Sequence, residues 1–290
     1  MSTPLHSSES TPRGNGRPFF FVHVMKTGGT TFAFHVMQEF DDREIYPSES
    51  IDRRGPTDFA SYVAIDRLRN VPVERRRDVR IYMGHYPYAA ADLIDPEPIV
   101  ITLLREPVAR TVSALRHFQR LTPRFAEASL EAIYDDPLIF HLFIHDHQVK
   151  LFALTMEDSP AAFASLKFGA AAGALGAGPV SDFDAAAATI TVDDARRSLA
   201  LANLDRVDVL GLSGDYEGFV EQLRAEYCWW RRPDSDLRGR ANVSPGGASI
   251  SDAFRRKIIA DNPAEMEFYA HACDLVAARR GSGRAREVAS

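Results

Sequence analysis

Lys26-Thr27-Gly28-Gly29-Thr30-Thr31 is the segment of this chain best equipped for chemistry, and the chemistry is the binding of an oxyanion. Adjacent glycines let backbone N–H groups come close to a ligand. Thr30 or Thr31 is predicted to cap the helix that follows, in which Phe32, Val36 and Phe40 recur at helical spacing. A helix N-terminus with a lysine beside it suits a phosphate or a sulfate. The bland alternative is a glycine turn that binds nothing. The common nucleotide loop reads G-x-x-x-x-G-K-S/T, with its lysine after the glycines. Here Lys26 comes before them, and the common order occurs nowhere else in the chain.

A second constellation is Arg105-Glu106-Pro107, followed by Arg110 and Ser113. Arginine presents a planar fork of donors that matches a phosphate. A serine two turns into the next helix adds a hydroxyl on the same side. A salt bridge at a strand end is the plainer reading, and Arg110 reads either as added charge for the phosphate or as an exposed ion pair. His85, next to Gly84, is the candidate general base, because histidine titrates near neutrality. His23 reads as a packed histidine. His141, His145 and His147 lack the glutamate of a zinc-binding H-E-x-x-H and read as a polar helix face. The aspartate pairs at 41–42, 135–136 and 193–194 read as helix starts rather than acid–base dyads.

The elements that must hold these groups are legible as apolar runs. Strands are predicted at 19–24, at 80–83 ending on Gly84, at 99–104 and at 207–211. Helices are predicted from Pro107 to about 157, at 192–203 and at 216–227. Strands alternating with helices imply an α/β fold, a P-loop-like three-layer sandwich with a mostly parallel central sheet. Ligands of such sheets bind outside the carboxyl ends of the strands. That rule gathers Lys26 to Thr31, His85, Arg105, Ser213 and Asp215 on one edge.

The chain of 290 residues suits one large domain, with 45% apolar and 26% charged residues. A net charge of −6 argues against a polyanion-binding surface, and so against a nucleic-acid partner. Cys228 and Cys273 match no metal spacing and read as buried thiols. No apolar run reaches membrane-spanning length, so no stable membrane insertion is expected. Residues 1–18 read as a disordered leader and 19–280 as the domain. An Ala/Gly-rich insertion falls at about 160–188, and 281–290 read as a flexible tail. The run Glu74 to Asp78 reads as a solvated face. Oligomeric state leaves no mark in the sequence.

The form H-x-x-K-T-G-G-T, carried by His23 to Thr30, resembles the 5′-phosphosulfate loop of sulfotransferases that use 3′-phosphoadenosine 5′-phosphosulfate (PAPS). It looks most like the carbohydrate branch, with the heparan sulfate 2-O- and 6-O-sulfotransferases and bacterial relatives. Arg105 to Ser113 matches that family's second signature, R-D/E-P-x-x-R-x-x-S. The resemblance implies that Lys26, Thr27, Gly28, Gly29, Thr30 and Thr31 hold the phosphosulfate. It implies that Arg105 and Ser113 hold the 3′-phosphate, and that His85, in a G-H context like that of the 2-O branch, deprotonates the acceptor.

Ser213 and Asp215 fall in a turn resembling the one beside the adenine, and Asn242 and Ser244 in a loop resembling one near the cofactor. Asp146 to Leu151 resembles an N-x-Q-x-R-x-L segment of the 6-O branch, departing from it at Asp146 and Lys150. The implied reaction is sulfuryl transfer to a hydroxyl of a carbohydrate or glycoconjugate, releasing 3′-phosphoadenosine 5′-phosphate (PAP), with no metal. Animal members carry a membrane anchor, so a chain without one fits a cytoplasmic bacterial enzyme. The alternatives are a nucleotide or sugar kinase, which would need magnesium, and a non-catalytic relative that binds nucleotide or glycan.

Overall fold

The computed structural model describes residues 16–55, 58, 60–158, 190–229 and 250–289. Most of the leader, the Ala/Gly-rich segment and both Asn242 and Ser244 lie outside the described residues.

Five parallel strands form one sheet in the order β2-β3-β1-β4-β5. They are β1 (Phe19–Val22), β2 (Ile45–Tyr46), β3 (Ile81–Gly84), β4 (Ile99–Leu104) and β5 (Val209–Leu212). Strands buried on both faces read as unbroken apolar runs, and β1 and β4 are such runs. Alternate residues of β1 serve opposite layers. Phe19 and Phe21 pack with Phe32 and Val36 of helix Gly29–Glu39 and with Phe219 and Leu223 of helix Tyr216–Tyr227. Phe20 and Val22 face the other layer, where Phe152, Leu204 and Phe268 come from helices His147–Ala153, Asp194–Asp205 and Pro263–Ala289. The result is the expected three-layer α/β sandwich.

A third apolar cluster ties helix Pro107–Leu121 to helices Leu130–Tyr134 and Asp252–Asp261, through Leu115, Phe118, Ile133 and Ile258. The strand order fixes where a ligand goes. The chain builds β2 and β3 on one side of β1, then crosses to β4 on the other. The crevice at the carboxyl end of β1 is thus a topological switch point.

The structure corrects several expectations. The helical pattern predicted from Pro107 to about 157 is present as separate pieces, the first of which ends at Leu121. Pro123 and Pro137 start new turns, and Asp146 takes a left-handed φ of 48° before helix His147–Ala153. β2 is a strand the sequence did not reveal. The run Glu74 to Asp78 is not wholly a solvated face, because Arg75 is buried. It pairs with Asp52 at 2.7 Å and donates to the carbonyl oxygens of Arg43 and Ile45. Helix Pro263–Ala289 runs through residues that the sequence reads as a tail. Cys228 and Cys273 are half-buried rather than buried.

Candidate functional site

Beyond β1 the chain makes a tight turn. Thr27 is buried and its Oγ1 donates to the Val24 carbonyl at 2.9 Å. Lys26 and Gly28 take left-handed φ values of 69° and 112°. Helix Gly29–Glu39 starts directly, with Gly28 as its N-cap and no side chain capping it. This corrects the expectation that Thr30 or Thr31 caps the helix, since both lie within its first turn. With glycine at the N-cap, no N-cap side chain competes for the first-turn N–H groups, which is the arrangement that suits an anion. At Gly29 a Cβ would overlap the His23 ring, so close packing requires glycine there.

Arg105 stands at the end of β4, half-buried, and its Nη1 donates to the Lys26 carbonyl oxygen at 3.1 Å. Its peptide is clamped on both sides by one amide. The Arg105 N–H donates to Gln148 Oε1 at 3.1 Å, and Gln148 Nε2 donates to the Arg105 carbonyl at 2.8 Å. Glu106 caps helix Pro107–Leu121 by accepting from Val108 N and Ala109 N at 3.1 and 2.7 Å. Ser113 lies half-buried on that helix.

Arg110 does neither of the things considered for it. It is fully buried, pairs with Glu265 at 2.8 Å, and donates to the carbonyl oxygens of Phe143 and Ile144. Glu265 also accepts from Gln148 Nε2 at 3.0 Å. A buried pair with its remaining hydrogen bonds satisfied is tolerable, whereas one stripped of a partner is not. The network therefore anchors Gln148, and through it Arg105, to helix Pro263–Ala289.

From the far side Ser213 closes the turn, its Oγ donating to the Thr27 carbonyl. Asp215 caps helix Tyr216–Tyr227 by accepting from Gly218 N at 3.2 Å, and it pairs with Arg280. Both residues reach the expected edge, where each bonds to the protein itself.

The electrostatics of the turn are one-sided. Burial, then Arg120, then Arg105 push the Lys26 ammonium below its ordinary range. Burial also lowers Arg105, opposed by Glu106. His117 is lowered to about 4 by burial, Lys26 and Arg120. Arg120 and His117 were not foreseen. Their spacing from Ser113, seven and four positions along one helix, was the available signal.

His85 and His23 follow paired positions of β3 and β1, where Val22 lies beside Gly84. Their rings stack with centroids 4.3 Å apart, and Phe21 continues the column at 5.3 Å from His23. The His85 N–H of the backbone donates to the Tyr62 carbonyl at 2.8 Å. Burial lowers the His85 imidazole to about 4, against a hydrogen bond to the His23 backbone that raises it. His23 is pushed well down by burial, His85 and Lys26. His85 is thus a neutral imidazole at pH 7, on the edge that carries Lys26.

The other histidines do not form a polar helix face. His147 is buried with Nδ1 3.2 Å from the Leu142 carbonyl, and the Phe140–Ile144 segment is a wide turn rather than regular helix. Lys150 is buried too, lowered to about 8 by burial while Asp146 and Glu265 hold it up. Asp41, Asp136 and Asp193 precede helical turns, as expected of helix starts. Among the described residues no group of three or more His, Cys, Asp or Glu side chains is arranged to hold a metal ion. Among them, too, no helix is long and apolar enough to cross a membrane. No protein-family model matches the chain, and no curated protein matches it.

Proposed function

We propose that the chain is a PAPS-dependent sulfotransferase that sulfates a hydroxyl of a carbohydrate or glycoconjugate. The observation that carries this reading is the uncapped helix N-terminus behind K-T-G-G-T-T, with Lys26 and Arg105 joined across it. The charges acting on Lys26 are arginines, and His117 beside them has a buried Nδ1 with no hydrogen-bond partner among the described residues. Such a site fits a multiply anionic nucleotide.

In this reading Arg105 and Ser113 hold the 3′-phosphate, and Lys26 with the first-turn N–H groups holds the phosphosulfate. When bound, PAPS supplies a sulfuryl group on a good leaving group. Lys26 offsets the negative charge that grows on the departing phosphate. His85, neutral and able to accept, takes the proton of the acceptor hydroxyl. Gln148 and Glu265 keep the Arg105 peptide in place, a positioning role. The reading carries with it a cytoplasmic enzyme.

Calorimetric titration with PAP, joined to transfer of radiolabelled sulfate from PAPS to a panel of glycans, tests it. PAP binding with label transferred is the expected result. Phosphoryl transfer from magnesium-ATP without PAP binding would replace it with a kinase, and PAP binding without transfer to any acceptor would make the protein a nucleotide-binding relative.

A further inference from the structure

Helix Pro107–Leu121 presents more cationic chemistry to the turn than donor anchoring by Arg105 and Ser113 uses. One turn beyond Ser113 stands His117, half-buried, and three residues further stands the exposed Arg120. Of the charges on Lys26, Arg120 acts more strongly than Arg105. Arg120 thus acts on the Lys26 ammonium from the carboxyl half of this helix, while the Lys26 carbonyl receives Arg105. The charges acting on His117 are Lys26 and Arg120.

Among the described residues, the principal charges acting on Lys26 and His117 include no carboxylate. Asp135 is engaged by Lys257, Asp261 by Tyr134, Asp136 by Arg124 and Glu265 by Arg110. The His117 Nδ1 is buried without a partner among the described residues. An orphaned buried nitrogen is costly unless a ligand satisfies it. Two cations and an imidazole whose charges act on one another call for an oxyanion.

Resting on the donor reading above, we infer that His117 and Arg120 join Lys26 in gripping the sulfuryl end of PAPS, and so let the enzyme distinguish donor from spent product. Arg105 and Ser113 meet a phosphate that both nucleotides carry. Only the donor has the sulfuryl oxygens, and only these would meet His117 and Arg120.

The test is the affinity of PAPS and of PAP, measured by calorimetry without acceptor, for the wild-type protein, Arg120→Gln and His117→Phe. Arg120 is exposed, so its replacement leaves the fold intact. The expected result is a loss of about tenfold in PAPS affinity in each variant, with PAP changed less than about twofold. Equal losses for the two nucleotides, or no loss, would overturn the inference and leave the donor reading standing. A wild-type protein that binds neither nucleotide would overturn both.

Discussion

Arg105 Nη1 reaches from the end of β4 to the Lys26 carbonyl oxygen, 3.1 Å away in the turn after β1. The bond makes two motifs from distant parts of the sequence into one site. It also occupies a carbonyl that would otherwise repel an anion. Replacing Lys26 or Arg105 with alanine is expected to weaken PAP binding about ten- to a hundredfold, the scale of a lost charge-assisted hydrogen bond. Calorimetry on the folded variants measures it.

His85 is expected to separate turnover from binding. His85→Ala should lower kcat about a hundred- to ten-thousandfold with PAP affinity retained. A base must be neutral to work. With the imidazole lowered to about 4, kcat/KM should be flat from pH 6 to 8 and fall only as the medium approaches pH 4. An acid limb centred near the ordinary histidine value of about 6.5 would contradict the packing of His85.

The same histidines predict an acid-labile fold. His23, His85 and His147 have folded-state values below that of the unfolded chain, so the folded protein binds fewer protons. Their contribution is present above about pH 6.5 and is lost as pH falls toward 4. Urea midpoints taken between pH 7.5 and 4.5 should fall with pH. The fall should be shallower in His147→Gln, if that variant folds.

Removing one member of the buried pair should be costly. Arg110→Ala leaves Glu265 without its cation and is expected to lose about 3–5 kcal/mol of stability. Gln148→Leu keeps the pair but releases the Arg105 peptide. It should weaken PAP binding by more than its thermal shift would suggest, as calorimetry and a melting curve together would show.

Two glycines should behave oppositely. Gly29→Ala drives a methyl group into the His23 ring and through it disturbs the stack on His85, so donor binding and turnover should both fall. Gly214→Ala meets nothing within 4 Å and should leave both unchanged.

Four strands were legible in the sequence because a parallel strand buried on both faces is an unbroken apolar run, as Phe19 to Val22 is. β2 was not, because two residues, Ile45 and Tyr46, set among polar neighbours carry no period. The glycine turn after β1 was readable because glycine and lysine have few reasons to stand together at a strand end. The roles of Arg75 and Arg110 were hidden. Charge alone says solvent or ligand, and their partners Asp52 and Glu265 lie 23 and 155 positions away. His23 read as a packed histidine, but its stacking partner His85 was hidden for the same reason, since it follows another strand.

In the proposed function, the turn after β1 and the end of β4 together bind an adenosine bisphosphate. A calorimetric titration of the purified protein with PAP tests it most directly. Saturable one-to-one binding that Lys26→Ala and Arg105→Ala each weaken is the predicted result. No heat of binding at millimolar PAP would contradict it.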